Sequence, residues 1–144
     1  MLLIKNGCIH DAVSREPYIA DIMVENGKIT AINTGTMLSG ALPDSMDNCE
    51  AEVLDIKGLN VYPGLVDAHS HLGLDGYAIG FESQDYNEMN DIVTPQLRAI
   101  DGFYPQDETV KLAREGGVTC VGTGPGSSNV LGGMFMAVKT YGHR

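Results

Sequence analysis

The sequence predicts an α/β protein, with a β-rich segment over residues 1–62 and a strand, long loop, helix and strand over residues 63–144. Three observations carry that prediction. An Asn26-Gly27 pair separates two apolar, β-rich runs. After Pro63 the nearly continuous apolar run Gly64-Leu65-Val66-Asp67-Ala68 has the character of a parallel strand covered on both faces. Pro105 to Gly116 then carries helix start and stop signals, and a second β-rich run follows at once.

Taken in chain order, Met1 to Lys5 is an apolar strand start broken by Asn6-Gly7. Asp21 to Glu25 and Lys28 to Ile32 flank Asn26-Gly27, and both central residues of a type I′ turn need positive φ, so these residues predict a hairpin. Residues 33–51 are polar, contain glycine and lack a sustained period, which suits a connection. Val53 to Ile56 alternates, and Lys57-Gly58 turns into Leu59 to Tyr62. Beyond the strand at residues 64–68, a glycine-containing acidic segment runs from Leu72 to about Asp101. Asp107 is placed to cap the free amides of the next helix, Glu108 suits the positive end of its dipole, and Gly116 can close it in the left-handed conformation. Val118 to Val121 reads as a strand and Gly122 to Asn129 as the loop after it.

The 144 residues fall within the size of one domain, and 43% hydrophobic with 19% charged residues is ordinary globular usage. A net charge of −10 with nine Lys and Arg argues against nucleic acid and against anionic membrane surfaces. No apolar run approaches the roughly 20 residues that span a bilayer, and Met1 to His10 lacks the apolar stretch and cleavage site of a signal peptide. A cytoplasmic protein is expected. Cys8, Cys49 and Cys120 are odd in number and form no CxxC pair, so they read as reduced thiols.

Chemistry concentrates at His69 and His71. Residues two apart on a strand point to one face, so the two imidazoles can meet at a single ion, and a strand end is where such a site can face a substrate. Asp67, two residues earlier, could stand nearby as an outer partner. The loop GTGPGSSN, residues 122–129, fails the dinucleotide fingerprint because Ser127 stands where the third glycine belongs and no acidic residue follows Glu115. It reads either as a tight structural loop or as one that touches a substrate. The segment GFESQDYNEMND, Gly80 to Asp91, packs four carboxylates among Phe81, Tyr86 and Met89 and reads as a solvated acidic loop or as a cover over a site. Cys120 has no histidine near it in sequence, so no nucleophilic pair is indicated.

The run PGLVDAHSHLG, residues 63–73, resembles the first barrel strand of the amidohydrolase superfamily, whose members carry a His-x-His metal motif after a Pro-Gly and an aspartate. LLIKNGCIH and DIMVENGKITAI are similar to the β-rich N-terminal segment of many such enzymes, and AREGGVTCVGTGPGSSNVLGG resembles the second strand and loop of the imidazolonepropionase-related branch. The resemblance implies a composite β-sandwich part over residues 1–62 and the first units of a (β/α)8 TIM-like barrel over residues 63–144. It implies a metal-dependent hydrolase acting on a small-molecule amide or cyclic amide through metal-activated water, with His69 and His71 as ligands to one or two divalent ions, zinc foremost. The family's further ligands and its catalytic aspartate come from later strands; His10 and His143 are poorly placed to replace them, and Lys139 closes an apolar run as a solvated lysine would. A full barrel needs about 250 residues, whereas about 80 follow Pro63. The resemblance therefore implies an N-terminal fragment, inactive alone and prone to self-association through exposed barrel edges. Two alternatives stand beside this: a non-catalytic truncated chain, and a cupin-like metal-binding module, whose pattern Pro63 and Asp75 match only in part.

Overall fold

The computed structural model describes residues 1–35, 52–77, 80–84 and 86–142. These form two compact units, Met1–Pro63 and Gly64–Arg144.

In the first unit, β1 (Leu2–Ile9), β2 (Tyr18–Glu25), β3 (Lys28–Asn33), β4 (Glu52–Asp55) and β5 (Asn60–Val61) form one sheet. The order is β3-β2-β1-β4, with β5 also on β1; β2 is antiparallel to β1, while β4 and β5 run parallel to it. Among the described residues this is a single sheet, not the sandwich the resemblance implies. Asn26 and Gly27 have φ of 51° and 73° and join β2 to β3 as the hairpin turn.

Asn6-Gly7 behaves differently from its expected strand break. The strand continues through it, with Asn6 at φ 61° and a register shift between Ile4 and Gly7 that makes the pair a bulge. The Asn6 N–H donates to Asp21 Oδ1 at 2.8 Å and its side-chain amide donates to Asp55 Oδ1 at 2.9 Å, so carboxylates from β2 and β4 satisfy what the ladder leaves unpaired. The core of this unit is Ile9, Ala20 and Ile22, with Ile4, Tyr18, Val24 and Val61 against it. Each buried isoleucine contributes roughly 2 kcal/mol. The turn from β1 to β2 is organised by Asp11, which accepts from the Val13 and Ser14 N–H groups and from the hydroxyls of Ser14 and Tyr18. Those donors, the backbone N–H of Ser14 foremost, lower its pKa to about 2. Most of the predicted connection, residues 36–51, lies outside the described residues, as does Cys49.

The second unit holds β6 (Leu65–Ser70), a 3₁₀ turn (Phe81–Ser83), α1 (Ala99–Gly102), α2 (Glu108–Glu115), β7 (Val118–Thr123) and β8 (Met136–Lys139). β6 and β7 pair in parallel across α2, a βαβ crossover rather than the antiparallel roll of a cupin. β8 returns antiparallel on the other side of β7, a departure from an all-parallel barrel repeat. Parallel pairing of the run after Pro63 agrees with expectation; cover on both faces does not. Leu65 and Val66 are 60% and 70% exposed, because β6 is the edge strand and α2 packs on β7 instead, burying Val110 and Val121.

The helix begins where its sequence says. Asp107 is buried and accepts from the Thr109 N–H at 2.8 Å and its hydroxyl at 2.6 Å, while its other oxygen accepts from the Tyr77 N–H at 3.0 Å. Burial opposes its charge, but these hydrogen bonds prevail and hold its pKa below the usual carboxylate value. At the far end Gly116 has φ −76° and the left-handed residue is Gly117, at 89°, one position later than expected. The Gly117 carbonyl then accepts from the Leu65 N–H at 2.9 Å, linking the helix end to the start of β6. Among the described residues no helix is long and apolar enough to cross a membrane.

Candidate metal centre

His69 is the penultimate residue of β6 and His71 follows its last. Between them the strand is not regular. Asp67 stands opposite Val121 and Ser70 opposite Thr123, so β6 carries one residue more than β7 over this interval and forms a bulge. Asp67 Oδ1 accepts from the backbone N–H of His69 at 3.1 Å. The aspartate expected beside the imidazoles thus braces the main chain under one of them. Past the bulge, the Gly124 N–H donates to Ser70 O at 3.2 Å and the buried Thr123 hydroxyl donates to Leu72 O at 2.8 Å. The backbone is therefore tied to β7 on both sides of His71.

That tie has a chemical result. His71 Nδ1 lies 2.7 Å from the Gly124 carbonyl oxygen, which can only accept, so Nδ1 is the donor and, in the neutral ring, Nε2 is the nitrogen with the lone pair. An imidazole with one nitrogen committed to a backbone carbonyl is the usual arrangement of a metal-ligating histidine. Tyr86 stacks on this ring at 5.0 Å between centroids and 12° between planes. The exposed His69 packs against Phe135, 5.0 Å away. The two imidazole centroids are 5.6 Å apart with planes at 79°. Two imidazoles on one tetrahedral zinc, with Zn–N near 2.0–2.1 Å, have their centroids about 5 Å apart. The centroid spacing of the pair is close to that value, and two imidazoles would supply half of a four-ligand set.

Among the described residues, no group of three or more His, Cys, Asp and Glu side chains comes together. His10 lies in the first unit, stacked on Tyr62 at 4.3 Å with Nε2 3.0 Å from Asn60 Oδ1. His143 falls outside the described residues. Lys139 ends β8 with an exposed side chain.

The two loops flagged in the sequence meet beside the histidines. The Gly126 N–H donates to Tyr86 O at 2.6 Å, and the Asn129 side-chain amide donates to Glu88 O at 2.9 Å and Asp91 O at 2.8 Å. The acidic segment is thus fastened to the glycine loop along Tyr86 to Asp91. Close approach explains two of the glycines: a Cβ at Gly122 would lie 2.5 Å from Ala68 O, and one at Gly126 would collide with Asn87 Oδ1. Glu88 Oε1 accepts from the Asn90 N–H at 2.6 Å, a bond that lowers its pKa and keeps it charged. A cavity of about 240 Å³ opens between the loops, lined by both and by the segment from Thr94 to Gly102. Of the groups around the histidines, Tyr86 lies in a segment whose composition drew notice. Phe135 and the Gly124 carbonyl carry no sequence signal, since a ring contact and a backbone acceptor have no motif.

No family model matches the chain. It is 34% identical to amidohydrolase tasK of Hapsidospora irregularis over 85% of its own length and 12% of that protein's. It is 33% identical to an N-substituted formamide deformylase of Arthrobacter pascens, over 69% of this chain and 16% of that one. A dihydroorotase of Syntrophus aciditrophicus is 37% identical over 53% of this chain and 16% of its own. The solved structure of an amidohydrolase from Thermotoga maritima MSB8 is similar with a TM-score of 0.83 and 37% identity, covering 99% of this chain and 34% of that one. The chain thus spans about a sixth or less of these curated relatives and a third of the solved structure.

Proposed function

Because this chain belongs to the amidohydrolase superfamily, matching the N-terminal portion of its members, we propose that His69 and His71 are the first two ligands of a metal-dependent hydrolase centre. The reaction is hydrolysis of the C–N bond of a small amide or cyclic amide, the chemistry named for the deformylase and dihydroorotase relatives. The observation that carries this reading is the 2.7 Å contact of His71 Nδ1 with Gly124 O, which leaves Nε2 free to bind beside a second imidazole 5.6 Å away. A divalent ion bound there, zinc foremost, supplies a Lewis acid and an acidified water.

The chain's own residues do the positioning. Gly124 O holds the proton on Nδ1 of His71, Asp67 steadies the backbone of His69, and Tyr86 and Phe135 limit the rotation of the two rings. β6, α2 and β7 serve as the opening βαβ unit of a (β/α)8 barrel, with residues 1–62 as its accessory β part. Two imidazoles do not complete a catalytic zinc site, which takes three protein ligands. Among the described residues no third ligand joins them, so little or no amide turnover is expected of these 144 residues alone, in a cytoplasmic setting without nucleic-acid or membrane partners.

Titration calorimetry with Zn(II) on the 144-residue chain tests the assignment. Weak one-site binding is expected, reduced at least tenfold by His69→Ala or His71→Ala, and nitrogen-15 NMR should show the His71 proton on Nδ1. Undiminished affinity in the double variant would overturn the ligand assignment.

A further inference from the structure

The first unit holds a cluster of metal-ligating side chains that the hydrolase reading leaves unused. β1 and β5 pair in parallel with Cys8 opposite Asn60 and Ile9 opposite Val61, so Cys8, His10 and Asn60 project from one face of the two strands. The ladder fixes the backbone around them: the Cys8 N–H donates to Leu59 O at 3.0 Å and the His10 N–H to Val61 O at 2.9 Å. His10 Nε2 lies 3.8 Å from Cys8 Sγ and 3.0 Å from Asn60 Oδ1, which brings a sulfur, a nitrogen and an oxygen together. Tyr62 stacks on the imidazole, with centroids 4.3 Å and planes 21° apart, and limits its rotation. Cys8 and His10 are half-buried, and Ile19 of β2 stands opposite Cys8, so one flank of the thiol is apolar.

Donor chemistry narrows the ion. None of the three donors is a carboxylate, which disfavours calcium and magnesium, whereas thiolate and imidazole suit zinc and copper(I). With bonds of about 2.3 Å to sulfur and about 2.0 Å to nitrogen, those two donors stand about 3.5 Å apart on a tetrahedral ion and about 3.7 Å apart on a trigonal one. The observed 3.8 Å is nearer the trigonal value. Structural zinc takes four ligands, and with three donors, one of them an amide oxygen, it is held poorly. Copper(I) is satisfied by two or three, and thiolate selects it. We propose that Cys8, His10 and Asn60 form a binding site for one copper(I) ion. On binding, Nε2 gives its lone pair while the neutral ring keeps its proton on Nδ1, the Cys8 thiol releases its proton to solvent, and the copper keeps its oxidation state. The site lies in the other compact unit from His69 and His71 and owes nothing to the hydrolase reading.

The test is an anaerobic titration of copper(I), in competition with the chromogenic chelator bicinchoninate, into the 144-residue chain carrying Cys49→Ser and Cys120→Ser, which leaves Cys8 as its one thiol. One equivalent should bind. Cys8→Ser should weaken binding by about a hundredfold or more and His10→Ala by about tenfold or more, with folding checked by unchanged amide NMR spectra of β1 and β2. Asn60→Ala should cost several-fold, and Asn60→Asp, which keeps an oxygen, should not. The double variant His69→Ala with His71→Ala should bind copper(I) as before, so each assignment can fail without the other. X-ray absorption on the loaded chain, which needs no change at the site, should show one sulfur and lighter neighbours around copper. Nitrogen and oxygen neighbours only, affinity unchanged in Cys8→Ser or His10→Ala, or copper binding lost with His69 and His71 would overturn the proposal.

Discussion

At the scale of single residues, Asp107 does two jobs with its two oxygens. One caps α2 through Thr109 and the other holds the Tyr77 N–H, so the helix start and the loop after His71 share one anchor. Asp107→Ala should cost about 1–2 kcal/mol through the lost cap and should raise amide exchange at Tyr77 as well as in the first turn of α2. Exchange unchanged at Tyr77 would show that the second oxygen contributes nothing. This residue was legible in the sequence because capping is local: the acceptor and its donor are two positions apart. The closeness of the His69 and His71 rings was legible for the same reason. Tyr86 and Phe135 were not, because they reach the two rings only through the fold.

Among elements, the same dipeptide has two outcomes. Asn26-Gly27 forms the hairpin turn that its neighbours demand, whereas Asn6-Gly7 stays inside β1 as a bulge. The difference is non-local: Asp21 and Asp55, distant in sequence, accept the bonds that make a bulge tolerable at Asn6. The strand at residues 65–70 was recognisable by its apolar character, but that character says only that a face favours cover, not what provides it. β8 went unanticipated, since four residues of alternating burial carry little periodic signal. Gly122 shows how closely β6 and β7 are fitted, because the atom a methyl group would strike is the Ala68 carbonyl, which cannot swing aside. Gly122→Ala should destabilise the second unit by about 1–3 kcal/mol, read in urea melts through exchange of the β7 amides. A shift of a few tenths would mean that the two strands part easily.

For the molecule as a whole, the open flank of β6 dominates. Leu65 and Val66 present apolar side chains on an edge strand with unpaired backbone groups, a combination that favours pairing with another chain. The net charge of −10 opposes this by mutual repulsion. Light scattering on the 144-residue chain should therefore show association that grows with protein concentration and with salt as repulsion is screened; a monomer throughout would count against it. The carbonyl that sets the His71 tautomer belongs to Gly124, 53 positions further along the chain. That acceptor comes within reach of His71 only when β6 and β7 pair, so the zinc affinity proposed for the two histidines should rise and fall with formation of the parallel pair.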